Sequence, residues 1–411
     1  MAALQLTWRL LAGGIAIVTA LLISVALGLA TQGVIATSNS VLAGLSVLTG
    51  SGFAHAAAYV ASRRPQTVRR TAERGAFLAI AIGALSGVLA ATLGPRILPT
   101  LPVLWWQVAI ALPFAQAGQL GLGLQQGLGS SRGYVAIYVA QPLVAFATAA
   151  MATLLSNRSE QPSEWAGAIV LTPYVVQGIV SALGWIRLPR QGGPEPVGAL
   201  MSYTARIYPS AVAHYLSYRL DLILVSALLG ATAAGLYSLA LNSVDAVARI
   251  GQTAATVLFR RFSEATLPQG VRLARRGASA AGALSLLVGL ALAALVILFG
   301  ARVEHVRVLG QLLLLLAFGG AGISAWTVLA TYLAANNELA AALRVNAFLL
   351  VTSVALYVSL IPVIGVYGGA IGTSVGLALA AVLGYREVGR LDGSEGVAGP
   401  AATLLRKPFG K

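Results

Sequence analysis

The 411-residue sequence contains no cysteine, which excludes disulfides, thiolate metal sites and cysteine nucleophiles. Charge is scarce as well. Asp, Glu, Lys and Arg make up 9% of the chain, where a soluble protein carries roughly a quarter. Acidic residues are the scarcer sign, 12 against 27 basic ones. Only three histidines occur, His55, His214 and His305, and they are scattered along the chain. A Gly-x-x-x-x-Gly-Lys phosphate loop and a His-Glu-x-x-His pattern are both missing, and there is no soluble domain to house either. These absences argue against an enzyme, against a cofactor, and against direct use of ATP unless a separate subunit supplies it.

What fills the chain instead is apolar: 58% of residues are hydrophobic and the mean hydropathy is +0.83. Apolar runs of about 20 residues recur from Trp8 almost to the C-terminus, each long enough to span the ~30 Å hydrocarbon core as a helix. In lipid the backbone must satisfy itself, leaving helices or closed barrels. The runs are continuous rather than alternating, so a helical bundle is expected and a barrel is not. Spans are predicted at 8–30, 33–61, 75–93, 104–129, 134–156, 165–186, 199–229, 233–259, 277–300, 308–335, 340–362 and 364–385. Trp8–Ala30 is longer than a signal-peptide core and carries only Arg9 as charge, so it reads as an uncleaved first span.

Charge orients this all-α, twelve-span bundle. With the N-terminus inside, inner loops, the flanking Arg344 and both termini hold 20 Lys and Arg, the outer loops four, and Arg206, Arg219 and Arg249 fall within spans. That asymmetry follows the positive-inside rule and predicts a multi-pass protein of the bacterial cytoplasmic (inner) membrane with both termini cytoplasmic. It also accounts for the net charge of +15 without a nucleic-acid partner.

An internal repeat divides the chain. Leu27-Gly28-Leu29-Ala30-Thr31-Gln32-Gly33 aligns with Leu229-Gly230-Ala231-Thr232-Ala233-Ala234-Gly235 at an offset of 202, and Arg74-Gly75-Ala76 aligns with Arg276-Gly277-Ala278 at the same offset. Each half reads as two spans, a basic loop and four more spans, giving parallel repeats about an axis along the membrane normal. The expected organisation is a six-helix bundle over 1–190, a linker over 191–198, a second bundle over 199–389, and a polar, disordered tail over 390–411.

Intramembrane charge costs on the order of 3 kcal/mol per residue at a helix centre, so it marks function by default. Here it concentrates in spans seven and eight. Arg206, Ser210, His214, Ser217 and Asp221 share one face of span seven, and Ser238, Asn242, Asp245, Arg249 and Gln252 form a stripe on span eight. Arg219 points elsewhere and has no evident local partner. Asp245 and Arg249, four residues apart, are spaced either to neutralise each other or to face a cavity. Arg206, His214, Asn242, Arg249 and Gln252 are the candidate substrate-binding residues, and Asp221 and Asp245 the candidates for ion coupling. Asn39, Ser46, Gln116 and Gln119 read more readily as hydrogen-bonding glue between helices.

From Asp221 the chain runs Asp-Leu-Ile-Leu-Val-Ser-Ala-Leu-Leu-Gly, then Ala234-Gly235-Leu236-Tyr237-Ser238-Leu239-Ala240. This resembles the span seven–eight region of O-antigen-type polysaccharide flippases, in the multidrug/oligosaccharidyl-lipid/polysaccharide exporter superfamily. The chain departs from that pattern at Leu222, where a basic residue is common, at Gln32-Gly33, which lacks an aromatic, and around Phe259–Ser263, which lacks a proline. The resemblance implies a V of two bundles with helices one, two, seven and eight around a central cavity. It also implies a polyprenyl-diphosphate-linked oligosaccharide as substrate. Membrane lipids, and in some systems a polysaccharide polymerase and glycosyltransferases, would be its partners. The competing expectations are a drug/cation antiporter of the same superfamily and a non-transporting scaffold of a glycan-assembly complex.

Overall fold

The structure, a computed structural model, describes residues 2–63, 68–155, 162–186, 197–300, 304–336 and 338–393. These residues form twelve α-helices and no strand: α1 (Ala2–Ala26), α2 (Leu29–Arg63), α3 (Val68–Ile97), α4 (Trp105–Gly127), α5 (Ser131–Leu155), α6 (Pro162–Ile186), α7 (Val197–Leu229), α8 (Ala231–Glu264), α9 (Leu267–Gly300), α10 (Glu304–Ala335), α11 (Leu339–Ile364) and α12 (Val366–Gly393). Ten of them are long and apolar enough to cross a membrane. The other two, α4 and α8, have the length but carry the amides and charges that line or adjoin the interior, including Gln116, Gln119 and Gln125 on α4 and Asp245 and Arg249 on α8. Large side chains such as Phe77, Leu298, Phe299 and Val363 lie exposed on the outside. Such a surface suits hydrocarbon and would be an association hazard in water.

The repeat is visible in the backbone. The α1–α2 and α7–α8 turns each close on a glycine with left-handed φ, +90° at Gly28 and +85° at Gly230, a conformation that only glycine adopts at no steric cost. Buried apolar clusters form within each half. In the second, Phe262 meets Tyr332 edge to face at 5.3 Å between ring centres, and Trp326 Nε1 donates to Asn346 Oδ1 at 3.1 Å. In the first, Leu42 packs with Val108, Ala111 and Leu112. The halves meet where α1 and α2 lie against α7 and α8.

They approach to backbone contact at two repeat-related glycines. A Cβ on Gly33 would lie 1.8 Å from the carbonyl oxygen of Ala231, and one on Gly235 would lie 1.9 Å from that of Leu29. Beside this crossing Gln32 Nε2 donates to Ser238 Oγ at 3.1 Å, and Thr37 Oγ1 to Ser226 Oγ at 2.9 Å. The paired glycine turns therefore bring the two halves into backbone contact at one end of the bundle.

Of the expected boundaries, α12 continues through Gly393, past Gly389. Residues 191–196 of the linker and the tail from 394 lie outside the described residues, and α7 already begins at Val197.

Candidate functional site: a cationic cavity between the halves

Below the glycine crossing the halves diverge around a cavity of about 420 Å³, lined from α1, α2, α4, α5, α6, α7 and α8. This lies within the range of small-molecule sites, ~300–1,000 Å³. Pro142 and Pro173 are in its wall. Each lacks an N–H, so each deprives a helix carbonyl four residues earlier of its donor. Those carbonyls belong to Tyr138 and Ile169, which also line the cavity.

Two guanidinium groups face the space, Arg219 from α7 and Arg249 from α8, and no carboxylate does among the described residues. The two arginines are in different states. Arg219 Nη2 donates to Asp245 Oδ2, the Tyr218 hydroxyl donates to Oδ1 of the same carboxylate, and the Arg219 guanidinium lies 5.0 Å from the Tyr218 ring centre. Asp245 is thus the partner of Arg219 on the neighbouring helix, not of Arg249 one turn along its own. Even half-buried, a pair of this kind gives little net stability, but losing one member strands the other.

Arg249 has no carboxylate. Its Nη1 donates to the Tyr138 hydroxyl and to the backbone oxygen of Arg9 at 3.3 Å, its carbon lies 5.7 Å from the Tyr138 ring centre, and its Nε is buried with no hydrogen-bond partner. Cation–π contact and neutral acceptors leave the positive charge uncompensated. Arg9 repeats the arrangement one turn along α5: its Nη2 donates to the Tyr134 hydroxyl at 3.2 Å, and its Nη1 to Thr256 Oγ1 at 3.1 Å and to the Gln252 carbonyl at 3.3 Å. Tyr134 and Tyr138 stack at 5.8 Å. Together these residues clasp α1 and α5 of the first half to α8 of the second, at the end away from the glycine crossing.

Of the other residues singled out by sequence, Asn242 lines the cavity and Gln252 is exposed on α8. The face of α7 that carries Ser210, His214, Ser217 and Asp221 turns toward its own half. Asn346 Nδ2 donates to Ser210 Oγ at 2.9 Å, Tyr357 donates to the Ser217 carbonyl at 2.9 Å, and His214 stacks on Tyr218 at 6.3 Å. Arg206 is in α7, with its side chain outside the described residues. Gln116 acts as glue: its Nε2 donates to the Ser46 backbone carbonyl at 3.1 Å and to Thr49 Oγ1 at 2.7 Å, joining α4 to α2, whereas the Ser46 hydroxyl is buried with no partner.

Asp221 is fully buried and accepts from Tyr237 at 2.6 Å, Thr373 at 2.7 Å and the Leu222 N–H at 2.7 Å, bonds that tie α7 to α8 and α12. Removing the acceptor leaves the Tyr237 and Thr373 hydroxyls only each other at 3.4 Å and Tyr357 at 3.0 Å, at a cost of about 1–3 kcal/mol in all. Asp221→Ala should therefore lower the melting temperature of the purified protein clearly, and Asp221→Asn, which still accepts, should lower it less. Equal melting of Asp221→Ala and wild type would show that this cluster does not hold the second half together.

Several cavity groups carried no local signal in the sequence. Gln141 on α5 and Gln177 on α6 join Gln119 on α4 and Asn39 on α2 around the middle of the space, with Tyr174 among them. Each is a lone amide in an apolar span, and only helix packing places them together. Arg9 contacts residues about 240 positions away, which no periodicity could reveal. Among the described residues no group of His, Asp and Glu is arranged to hold a metal ion.

No family model matches the chain, and no curated protein matches it in sequence. Solved structures do match in fold. An inward-facing multidrug resistance MATE family transporter of the MOP superfamily superposes with a TM-score of 0.71 at 14% identity, over 97% of this chain and 100% of that one. The lipid II flippase MurJ in an inward closed conformation gives 0.76 at 10% identity, over 94% and 87%. A MOP superfamily transporter from Pyrococcus furiosus, described as having a binding pocket of reverse polarity, gives 0.60 at 15% identity, over 99% and 96%. The chain is a multi-pass helical membrane protein with the two-repeat fold seen in MOP-superfamily transporters.

Proposed function

We propose that this protein flips a polyprenyl-diphosphate-linked oligosaccharide from the cytoplasmic to the outer leaflet of a bacterial inner membrane, in the assembly of surface polysaccharide. The observation that carries the reading is Arg249, a guanidinium at the cavity wall with an unpartnered Nε and no carboxylate. A half-buried cation in that condition suits an anionic ligand, and phosphate oxygens match its donors by charge-assisted hydrogen bonds. Arg219, held by Asp245, presents a second positive edge, and Asn242 a neutral one. The lipid tail stays in the bilayer while the halves rock, opening the clasp end and the glycine-crossing end in turn, and carry the headgroup through. In this reading the Arg9 end is cytoplasmic and the Gly28–Gly230 end faces out. Asp221, buried in the second half without a cation, is the group assigned to ion coupling, and Asp245 tunes Arg219.

The fold likeness to multidrug transporters favours a second reading, export of organic cations. Such ligands are better served by free carboxylates, and the cavity wall has none among the described residues. The two readings separate in proteoliposomes supplied with a fluorescent polyprenyl-diphosphate glycan or with an organic cation. Protein-dependent exposure of the glycan at the far leaflet is expected. Uptake of the cation without flipping would move the protein to the antiporter reading, and neither activity would leave it a membrane scaffold.

A further inference from the structure

The offset of 202 that relates the halves also relates two basic helical turns. It aligns Arg70, Glu73 and Arg74 of α3 with Arg272, Arg275 and Arg276 of α9. In α3 the turn carries its own counter-charge, since Arg69 Nε donates to Glu73 Oε1 at 3.1 Å. In α9 the acidic position is Arg275, and all three guanidiniums are exposed and join no ion pair among the described residues. The positive-inside tendency asks for an excess of Arg and Lys in such a region, not for their collection on one side of a helix.

Helical spacing puts Arg272, Arg276, Ala283 and Leu287 on one face of α9, and all four are exposed, whereas Val271, Ala274 and Ala278 on the opposite face are buried. On α12, Arg386, Val382 and Val375 likewise share an exposed face, with Ala381 and Val388 buried behind it. Tyr385 joins the two helices at this end: its hydroxyl pairs with Ser279 Oγ at 2.9 Å and with the Arg275 carbonyl at 3.5 Å. Arg275 itself reaches over α12, where a Cβ on Gly389 would run into its Nη2. Glu387, beside Arg386 in the chain, is already taken by Arg344 at 2.8 Å and Arg390 at 2.6 Å. Four unpaired guanidiniums therefore edge a strip whose continuation into the membrane is apolar. Leu287 lies about 16 Å along α9 from Arg276, and Val375 about 16 Å along α12 from Arg386, roughly the hydrocarbon depth of one leaflet.

We infer that Arg272, Arg275, Arg276 and Arg386 bind the headgroup of an anionic phospholipid, whose acyl chains run along Leu287 of α9 and Val382 and Val375 of α12. Charge and apolar surface follow one another here in the order in which a phospholipid presents phosphate and hydrocarbon. That order selects a lipid over a soluble phosphate or an acidic peptide. Phosphate oxygens accept from guanidinium forks by charge-assisted hydrogen bonds, and basic pockets between spanning helices suit lipids with more than one phosphate. A headgroup with two phosphates, as in cardiolipin, best matches four unpaired cations. The bound lipid braces α9 against α12 on the outer surface of the second half. It lies apart from the central cavity and does not depend on what is transported. The aligned turn of α3, with Glu73 in place of an arginine, has no such site.

Native mass spectrometry of the purified full-length chain in detergent tests this, with cardiolipin, phosphatidylcholine or a polyprenyl diphosphate probe added in turn. Wild type should hold cardiolipin about tenfold or more tightly than phosphatidylcholine. Arg275→Gln/Arg276→Gln should weaken cardiolipin about thirtyfold, as expected for two basic side chains near an anionic headgroup. Arg70→Gln/Arg74→Gln removes the same charge from the aligned turn of α3 and should leave cardiolipin bound as in wild type. Equal weakening in the two double variants would show a response to net charge alone and overturn the site, as would equal binding of cardiolipin and phosphatidylcholine. Displacement of cardiolipin by inorganic pyrophosphate would make this a site for a soluble anion. Tighter binding of the polyprenyl diphosphate, lost in Arg275→Gln/Arg276→Gln, would make it a second station for that lipid; either result overturns the phospholipid assignment. Arg276 is exposed, so Arg276→Gln alone, with a several-fold loss expected, decides the matter if the double variant fails to fold.

Discussion

Arg249→Ala is expected to slow headgroup flipping by one to two orders of magnitude, with Arg249→Lys intermediate. The guanidinium is the one cavity cation that the described residues leave without a carboxylate, and its Nε is buried without a hydrogen-bond partner. A hydrogen bond to a charged group contributes about 1.5–3 kcal/mol, and each 1.4 kcal/mol is about tenfold. Lysine restores the point charge but not the planar fork, which is why part of the activity should return. The same residue also closes the clasp through Tyr138, so the variant alone leaves two causes open. Tyr138→Phe separates them, because it keeps the ring under Arg249 and removes only the hydroxyl. If the clasp were the source of the loss, Tyr138→Phe would reproduce it; near-normal flipping is expected instead. Full activity in Arg249→Ala would sink the assigned role.

Gly235→Ala is expected to have a comparable effect by another route, by keeping the two halves apart at the glycine crossing. A methyl group there would lie 1.9 Å from the carbonyl oxygen of Leu29, and on Gly33 it would lie 1.8 Å from that of Ala231. Both obstacles are backbone, so no side-chain rotation relieves them. Overpacking of this kind costs roughly 1–3 kcal/mol, here charged only against the state in which this end is shut. That shifts the balance between open and shut by about ten- to a hundredfold. Transport by alternating access needs both states, so turnover should fall although the cavity is untouched and binding of the diphosphate probe persists. Because the chain has no cysteine, spin labels at Ala30→Cys and Thr232→Cys, both exposed near the crossing, report the gap without background. A lengthened label–label distance in Gly235→Ala is expected. An unchanged distance with normal transport would show that the crossing plays no part in gating.

Much of this architecture was legible in the sequence because lipid imposes strong rules. Apolar runs had to be helices, and twelve helices are found. The offset of 202 between Gly28 and Gly230 predicted equivalent turns, and both adopt the left-handed backbone that only glycine takes freely. The concentration of charge in α7 and α8 pointed to the contact between halves, where Arg249 and Asn242 line the cavity.

The partners of those charges were not legible. Helical periodicity states which residues share a face, but it cannot say which neighbour that face meets. So the α7 face bearing His214 and Asp221 packs within the second half, while Arg219 on another face reaches the cavity and takes Asp245 from α8. The amides of α2, α4, α5 and α6 form a set only because four helices converge. The sequence alone determined the helices, the repeat and the presence of intramembrane charge, since each follows from local composition in an apolar solvent. Tertiary structure decided which charge is neutralised and which is left free, because an ion pair or a buried acceptor is a property of distance between helices and not of position along one.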